Sequence, residues 1–502
     1  MPSTPSWSAA EDLRAEVLRT AERDGGAAAA ELIGRHWDRY ATTEPQHLLN
    51  AVRALPGEVF VDNPGMVVAA NYLQHVAVDG APHRFEQDQH LAGISAHGGS
   101  LPEQLIGLTG TTATERTRGE HDRAVAAARA ARSRVDAAPD PDVAAMRPNL
   151  PHLFLQWGRS LEAAGDGAAA AYEYEEAHRL ASVTDQAQIA RRAAAHLAWF
   201  EADRGRLRSA ERWLDRARRT GEPNPRYDAV LHLADALLEL DRGDRHASGA
   251  ALARMSVLPL GEYWAAAAWV RSWHAVDPAS RSLLGGEIAE GTGRHAEAVS
   301  TGGANRWYLR GALSRLALPH DRHPGDAPAD VLLDAVAAYR TGAAGRAAEL
   351  AHDVLAAPST LRVRAYALVV AAAAALGDGR AAAARHDFAQ ADEVIRSEGL
   401  RTAYSVIAPS HREQLAGSRD TTAHSTASPD DAEVPARLAA LTAREREVLH
   451  LLASERSTRD IATELFISPN TLKATLRRAY RKLGVHSRRE AVDTVQVAAR
   501  AR

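Results

Sequence analysis

The side chains best spaced for chemistry lie close to the C-terminus. Lys473 and Arg477 are four residues apart, so on a helix they lie one turn apart on the same face. From a helix in the DNA major groove both can reach base edges, where guanine O6 and N7 accept hydrogen bonds from lysine and arginine. Ala474 fits between them against a thymine methyl group. We predict that these three residues read bases.

A second set of polar side chains in the same region is better placed for phosphate contacts, which set register but do not read sequence. These residues are Thr458, Arg459, Asn470, Arg478, Arg481 and Lys482. The alternative is that such charges only solvate a surface helix. The helix caps and the apolar stripe around them favour DNA binding.

Short helices must position these side chains, and capping residues indicate where the helices begin. The four starts are Thr442–Glu445, Ser457–Asp460, Ser468–Pro469 and Ser487–Glu490, and Gly484 ends the third helix. Apolar residues at helical spacing predict a buried face on the first and third helices. They are Leu441, Val448, Leu449 and Leu452, and then Leu472, Leu476, Ala479 and Leu483. A short helix, a turn and a longer basic helix form a helix-turn-helix.

This segment resembles the C-terminal DNA-binding domain of LuxR-type transcription regulators. The motifs that carry the resemblance are Leu441-Thr-x-Arg-Glu-x-Glu-Val-Leu-x-Leu-Leu-Ala453, Ile461-Ala462, Ser468-Pro-Asn-Thr471, Tyr480-Arg-Lys-Leu-Gly484 and Arg488-x-Glu490-Ala491. The resemblance implies that the third helix reads the major groove and that Lys473, Ala474 and Arg477 occupy the base-reading positions. It also implies that the fourth helix forms a homodimer on DNA through Ala491, Val492 and Val495.

The charge of the chain is divided unevenly. Residues 435–502 carry 14 Lys and Arg against 7 Asp and Glu, a net charge of +7. Since the whole 502-residue chain is −4, the other residues carry −11. An acidic body with a basic C-terminal part suits a protein of which only that part meets phosphate. We expect double-stranded DNA as a partner.

Two residue counts exclude several kinds of chemistry. The chain has no cysteine, which excludes disulfides, thiolate nucleophiles and cysteine-ligated metals. Its only lysines are Lys473 and Lys482, and neither follows a glycine as the lysine of a P-loop does. The sequence therefore excludes a P-loop ATPase, and we expect no catalytic residue, no cofactor and no metal.

Three further groups have spacings that could suit a ligand. They are His83, His90 and His97; His320 and His323; and Trp264, Trp269 and Trp273. Glycines or prolines interrupt the helices on which these histidines would have to share a face to bind a ligand. We therefore expect structural or exposed histidines. Tryptophans at helical spacing are more typical of a core or a repeat interface than of a ligand groove.

Residues from about 9 to 416 follow helical periodicity without strand alternation, which predicts an all-α fold. Several segments have the spacing of tetratricopeptide repeats, in which two helices cross at small residues and a glycine ends the first helix. The clearest copies begin at Phe154, Leu197 and Leu368, and weaker ones lie around Ala236 and from Val331 to Ala356. Stacked copies would leave a concave groove. An irregular helical bundle is the alternative.

Glycine- and proline-rich stretches interrupt this pattern, and we expect them to be loops between helical pairs. They lie near Gly98-Gly99, Gly285-Gly286, Gly302-Gly303 and from Pro319 to Pro328. The stretch from Gly417 to Pro435 has one large aliphatic residue and no aromatic residue, so it predicts a flexible linker.

We divide the chain into four parts: an N-terminal helical region at 1–125, tetratricopeptide-like repeats at 126–416, the linker at 417–435 and a helix-turn-helix domain at 436–502. The first part resembles the region that joins the ATPase and repeat domains of large ATP-binding LuxR-type regulators, through Leu32-Ile33, Trp37, Ala54-Leu-Pro56 and Asn63 to Tyr72. The resemblance implies a version without the nucleotide switch, whose repeats bind a small-molecule inducer or a regulatory protein.

The N-terminal eight residues lack the basic and apolar regions of a signal peptide, and the longest apolar run, Ala365–Leu376, is too short to cross a bilayer. We therefore expect a cytoplasmic protein without a membrane partner. The sequence predicts a DNA-binding transcription regulator controlled through its helical body. The alternative is an interaction scaffold whose repeats bind a partner while DNA binding is secondary, and an enzyme comes third.

Overall fold

Helices form all the regular structure in the part of the chain that the computed structural model describes. That part comprises residues 9–43, 45–62, 100–225, 227–258, 260–296, 303–318 and 327–417, with single positions at 66, 70, 73, 299, 448, 449, 472, 476, 479 and 482. No strand occurs in these ranges, which confirms the predicted all-α fold.

The helices follow in chain order. They are α1 (Ala9–Asp24), α2 (Gly26–Thr43), α3 (Pro45–Val52), α4 (Gly57–Asp62), α5 (Leu101–Arg118), α6 (His121–Ala137), α7 (Asp140–Met146), α8 (Leu150–Ala163), α9 (Gly167–Val183), α10 (Ala187–Asp203), α11 (Leu207–Arg219), α12 (Ala229–Arg242) and α13 (Arg245–Met255). After a 3₁₀ helix at Gly261–Tyr263 come α14 (Trp264–Ser272), α15 (Pro278–Arg294), α16 (Ala304–Leu316), α17 (Pro328–Arg340), α18 (Ala344–Ala356), α19 (Leu361–Gly377) and α20 (Ala381–Glu398), then a second 3₁₀ helix at Arg401–Val406 and α21 (Pro409–Gly417).

The chain divides into two compact units, Met1–Ala416 and Gly417–Arg502. The predicted linker after residue 417 and most of the predicted helix-turn-helix lie outside the described residues. The boundary at residue 125 stays a prediction. Among the described helices, none has the length and apolar content needed to cross a membrane.

Five helix pairs in the first unit are joined by the same kind of turn: α8–α9, α10–α11, α12–α13, α17–α18 and α19–α20. Their turns contain Gly165, Gly205, Gly243, Gly342 and Gly379, with φ between +71° and +88°. The amide after each glycine donates to a carbonyl five residues earlier, at 2.8–2.9 Å. This bond satisfies a terminal carbonyl and needs the left-handed backbone that glycine adopts without strain. Helix pairs therefore exist at all five predicted segments, while their assignment as tetratricopeptide repeats stays a prediction.

Small residues lie where paired helices touch. A β-carbon at Gly158 of α8 would lie 2.6 Å from the Tyr174 ring of α9, so that ring can pack there only against glycine. Ala170 and Ala177 of α9 are fully buried. Such contacts bring the backbones close and let large apolar side chains fill the space between successive pairs.

One expected loop is instead helical. Gly285 and Gly286 lie inside α15, whereas Gly303, which has a φ of +80°, directly precedes α16 as predicted. The reason is packing, since a β-carbon at Gly285 would lie 2.7 Å from a side-chain atom of Leu318. At this position glycine allows a close approach within a helix and does not interrupt it. The stretches at Gly98-Gly99 and at 319–326 lie outside the described residues.

Three hydrophobic clusters follow one another along the first unit. The first lies mainly in α1–α4, includes Leu32 and Ile33, and also contains Leu73. The second extends from α5 to α10 and contains Trp157 and Tyr174. The third contains apolar residues from α10 through α21, so the late helices share one core with α10 and α12.

A buried arginine joins the late helices to the middle of the unit. Arg362, at the start of α19, is 1% exposed and forms a bidentate ion pair with Asp241 of α12, at 2.6 and 3.1 Å. Its guanidinium also donates to the carbonyls of Ala202 (2.6 Å) and Asp203 (2.9 Å). Its backbone amide donates to the carbonyl of Arg204 (3.1 Å). Arg362 thus adds donors to carbonyls at the C-terminal end of α10, where helix geometry supplies fewer backbone donors than within the helix.

The turn after α10 lies directly against this arginine. A β-carbon at Gly205 would lie 2.6 Å from the backbone nitrogen of Arg362, and the φ of Gly205 is +83°. Gly205 is therefore needed for two reasons, the shape of the turn and the approach of α19.

We expect Asp241→Leu to lower the free energy of unfolding by about 3–5 kcal/mol, because it leaves the guanidinium of Arg362 buried without its carboxylate. Adding Arg362→Met should restore part of that loss. Urea unfolding followed by tryptophan fluorescence measures this, since all nine tryptophans lie in the first unit. Arg346→Met, which removes an exposed pair with Glu349, is the control and should change stability by less than about 0.5 kcal/mol. A double variant no more stable than Asp241→Leu alone would contradict the ion-pair argument.

A pair of glycine variants separates strain in the turn from the approach of α19. Gly165→Ala places a β-carbon in open space at a φ of +84° and should cost about 1 kcal/mol. Gly205→Ala has nearly the same φ but collides with backbone, so it should cost about 1–3 kcal/mol more. Equal losses in chemical unfolding would show that the close approach is unimportant.

Candidate functional site

Most of the described residues of the second unit are those that the sequence assigns to buried helix faces. Val448 and Leu449 are helical and at most 1% exposed, as predicted for the first helix. Leu472, Leu476 and Ala479 are helical and buried, as predicted for the third. The small side chain of Ala479 is fully buried and so takes part in the core.

The predicted DNA contacts are almost all outside the described residues. This applies to the base-reading set (Lys473, Ala474, Arg477), to the dimer set (Ala491, Val492, Val495) and to Thr458, Arg459, Asn470, Arg478 and Arg481. Lys482 is described, is helical and is half-buried. The histidine groups at 83, 90 and 97 and at 320 and 323 also lie outside the described part. These assignments stay predictions.

The first unit contains a pocket with a volume of ≈ 80 Å³. Its lining comes from the adjoining ends of α5 and α6, the last turn of α8, the middle of α10, the first 3₁₀ helix with α14, the residue after α15 and the start of α16. A second pocket of ≈ 370 Å³ adjoins it and shares Gly261, Trp264 and His295 with it. Segments almost 200 residues apart therefore form one concave site.

A single carboxylate binds two arginines at the edge of the pocket. Glu262 accepts from Nε and NH2 of Arg116, at 2.7 and 3.2 Å, and from NH2 of Arg159, at 2.9 Å. Arg116 also donates to the carbonyl of Gln156 (3.1 Å) and to the hydroxyl of Ser160 (2.8 Å), which holds it against α8. Because two guanidinium groups share one carboxylate, this cluster has a net positive charge.

Inside the pocket, a second carboxyl accepts hydrogen bonds from two tyrosines. Oε2 of Glu162 accepts from the hydroxyl of Tyr174 at 2.5 Å and from that of Tyr263 at 3.2 Å. Nδ1 of His196 lies 2.8 Å from the Tyr263 hydroxyl, and the His196 ring stacks on Tyr174 with centroids 5.2 Å apart. The hydrogen-bonded chain thus runs through α8, α9, α10 and the 3₁₀ helix.

The protonation states in this network follow from its burial. Burial raises the pKa of Glu162 to about 7, while the tyrosine hydrogen bonds and Arg159 oppose that rise. Burial and the nearby Arg159 lower the pKa of His196 well below its usual value, so this imidazole is neutral. Burial also raises the pKa of Tyr174 and Tyr263, which stay protonated and can donate. Glu162 is the group in the network that changes charge near neutral pH.

Aromatic side chains supply the apolar part of the pocket. Trp264 stacks on His295 with centroids 5.1 Å apart, and a β-carbon at Gly291 would lie 2.6 Å from the Trp264 ring. The sequence predicts core positions for three tryptophans, and this is confirmed for Trp269 and Trp273, which are 3% and 4% exposed. Trp264 is partly buried, packs against the same core, and also lines both pockets.

Sequence patterns do not identify the charged residues of the pocket, which are Arg116, Arg159, Glu162 and Glu262. Each occupies an ordinary polar position in a helical pattern, and no local motif joins them. The only available signal was Trp264, whose possible role in a ligand groove follows from its spacing.

The C-terminal sequence matches a known family model, that of bacterial regulatory proteins of the luxR family, over residues 439–495. The spore germination protein GerE of Bacillus subtilis (strain 168) is 50% identical over 52 residues, which are 10% of this chain and 70% of GerE. The probable transcriptional regulatory protein NarL of Mycobacterium tuberculosis (strain ATCC 25618 / H37Rv) is 50% identical over 52 residues, which are 24% of NarL. The helical body lies outside these matched residues.

We expect Glu162→Gln to change how stability depends on pH. Because the folded state raises the pKa of Glu162 from 4.5 to about 7, it holds this proton more tightly than the unfolded chain does. The resulting stability is fully present below pH 4.5 and is lost as pH rises to about 7. At pH 8 the glutamine variant should therefore be more stable than the natural protein by about 1–3 kcal/mol, and the gain should shrink toward pH 5.

Urea unfolding at pH 5 and pH 8, followed by tryptophan fluorescence, tests this expectation. Glu349→Gln, at an exposed glutamate, is the matched control and should show no such pH-dependent gain. A Glu162→Gln variant less stable than the natural protein at both pH values would contradict this expectation, because it would show that the buried carboxyl group stabilises the fold even when it is ionised.

Proposed function

This chain belongs to the luxR family of bacterial regulatory proteins, and we propose that it regulates transcription by binding a specific DNA site through residues 436–502. The observation that carries the proposal is the family match at 439–495, which coincides with the segment whose spacing predicts a helix-turn-helix. The buried Leu472, Leu476 and Ala479 support the orientation of the reading helix.

The base-reading residues follow from that buried stripe. On an α-helix, Lys473, Ala474 and Arg477 lie roughly 100–200° around the axis from the centre of the stripe, and therefore on the outer face. We assign these three residues to base edges and Thr458, Arg459, Asn470, Arg478, Arg481 and Lys482 to phosphates. The basic charge of residues 435–502 fits such an interface.

We further propose that the protein binds a two-fold DNA site as a homodimer through Ala491, Val492 and Val495. A two-fold protein pair matches a palindromic operator, so dimerisation doubles the contacts and sets the spacing of the half-sites. Pairing of the C-terminal units is then a step that the helical body can control.

The helical body, in this proposal, senses a small molecule or a regulatory protein and favours one arrangement of the dimer. The pocket in the first unit supports this role, since it brings convergent polar groups and aromatic walls together. The protein is then a cytoplasmic regulator and not an enzyme, and its nucleic-acid partner is double-stranded DNA.

Replacing both Lys473 and Arg477 with alanine should abolish sequence-specific DNA binding, since each bidentate contact contributes about 1–3 kcal/mol of discrimination between bases. Electrophoretic mobility shifts with specific and scrambled DNA measure this, and circular dichroism checks that the helices are retained. Arg478→Ala is the matched control: loss of a phosphate contact should weaken both complexes equally and reduce the salt dependence. Specific binding retained by the double variant would refute the assignment of the reading helix.

Genome-wide mapping of bound sites, with and without deletion of residues 436–502, tests the function itself. A regulator gives discrete sites that vanish with the deletion. The competing function is an interaction scaffold, which the size of the helical body favours. A partner captured through residues 1–416, together with DNA binding no better than that of a generic basic peptide, would support the scaffold.

A further inference from the structure

We propose that the ≈ 80 Å³ pocket of the first unit binds a small organic carboxylate with an aromatic or other apolar group, held by Arg159 and packed against Trp264. This inference deepens the proposed function, because it names the chemical class that the helical body would sense. The charges, the accessibility and the walls of the pocket support this ligand class.

While Glu162 is protonated, the charges of the pocket favour an anion. Arg116 and Arg159 both rely on Glu262, so this cluster carries one more positive than negative charge. A ligand carboxylate bound to Arg159 would neutralise this excess positive charge. In a partly buried site, such a charge-assisted and bidentate contact is about twice as strong as a hydrogen bond between neutral groups.

The two arginines have different roles. The Arg116 side chain is 2% exposed, and all five of its N–H groups are directed at Glu262, Gln156 and Ser160, so it acts as a fixed support. The Arg159 side chain is 13% exposed and lines the pocket, which makes it the cation within reach of a ligand.

Glu162 accommodates an anion when it is protonated. Both of its hydrogen bonds within the described part end at Oε2, so Oε1 is the oxygen available to donate a proton to a ligand carboxylate. The charged and titratable groups around it come from several elements: Arg116 of α5, Arg159 of α8, Tyr174 of α9, His196 and Asp203 of α10, Glu262 and Tyr263 of the 3₁₀ helix, and Tyr308 of α16. Because the pKa of Glu162 is about 7, anion binding at pH 8 should take up a proton.

The aromatic walls select the rest of the ligand. Trp199 is 1% exposed and contacts Tyr263 and Tyr308, with ring centroids 6.1 and 5.9 Å away, so these three rings form a rigid face. Trp264, supported by His295, lies in the lining of both this pocket and the adjoining one of ≈ 370 Å³. An apolar ring seated here is removed from water, while its carboxylate reaches Arg159.

Isothermal titration calorimetry of the full chain with three probes of nearly equal shape tests the ligand class. Benzoate should bind at least about tenfold more tightly than benzamide or benzylamine, which lack the negative charge. The benzoate dissociation constant should rise from pH 6 to pH 8 by up to about tenfold, with proton uptake seen as a dependence on buffer ionisation heat. Preference for benzylamine, or equal binding of all three probes, would overturn the proposal.

Variants assign the roles of the two pocket residues. Arg159→Gln should weaken benzoate binding by about tenfold or more, whereas Arg179→Gln, at an exposed arginine paired with Glu176, should leave it unchanged. Glu162→Gln supplies an amide oxygen that can accept the tyrosine hydrogen bonds in place of the carboxyl oxygen. This variant should bind benzoate with no pH dependence and no proton uptake. If Arg159→Gln does not fold, the pH dependence of benzoate binding by Glu162→Gln tests the proposal without it. A pH dependence equal to that of the natural protein would refute the proposal.

The double variant in which alanine replaces Lys473 and Arg477 separates the carboxylate-pocket proposal from the proposed regulation of transcription. It should bind benzoate like the natural protein even though it no longer binds specific DNA. In the natural protein, benzoate binding without any sequence-specific DNA binding would refute regulation alone. Sequence-specific DNA binding without benzoate binding would refute the carboxylate pocket alone.

Discussion

The buried ion pair between Arg362 and Asp241 is the interaction on which the tertiary arrangement of the helical body depends. Paired helices joined by short turns make mostly local contacts, and nothing in those contacts brings α19 back to α10. Arg362 does so by bonding to Asp241 and to the last carbonyls of α10, together with the apolar core that the late helices share with α10 and α12. A guanidinium buried without these acceptors would lose much free energy, so the burial of Arg362 requires this geometry.

The same end of α10 takes part in the pocket. Asp203 accepts through its backbone carbonyl from Arg362 and bonds through its side chain to Tyr308, which lines the pocket. Asp203 also contributes to the raised pKa of Glu162. The pocket and the anchoring of the late helices therefore meet at one helix terminus.

The polar groups of the pocket show how burial makes ordinary residues functional. On a surface, water would satisfy Glu162, Tyr174 and Tyr263 separately. Buried together, they must form hydrogen bonds with one another, and the pKa of Glu162 is about 7. Two arginines with one shared carboxylate complete a site with a preferred sign of charge.

Much of the fold was predictable because its determinants are local. Helical periodicity predicts the paired helices, glycine predicts the turns at Gly165 and Gly205, and alternating small and large residues predict which positions are buried. The same logic predicts the buried face at Leu472 and Leu476. The loop predicted at Gly285 is wrong, because a glycine that permits close packing with Leu318 cannot be told from the sequence apart from one that interrupts a helix.

The sequence by itself determined that the chain is helical and that its C-terminal part resembles a DNA-reading domain, because caps, periodicity and charge act within a few residues of one another. Only the tertiary structure decided the pocket. Arg116, Glu162 and Glu262 come from separate helices, and their contacts depend on how α5, α8 and the first 3₁₀ helix pack. Side chains that meet through packing leave no periodic signal in the sequence, since each is constrained by a neighbour distant in the chain.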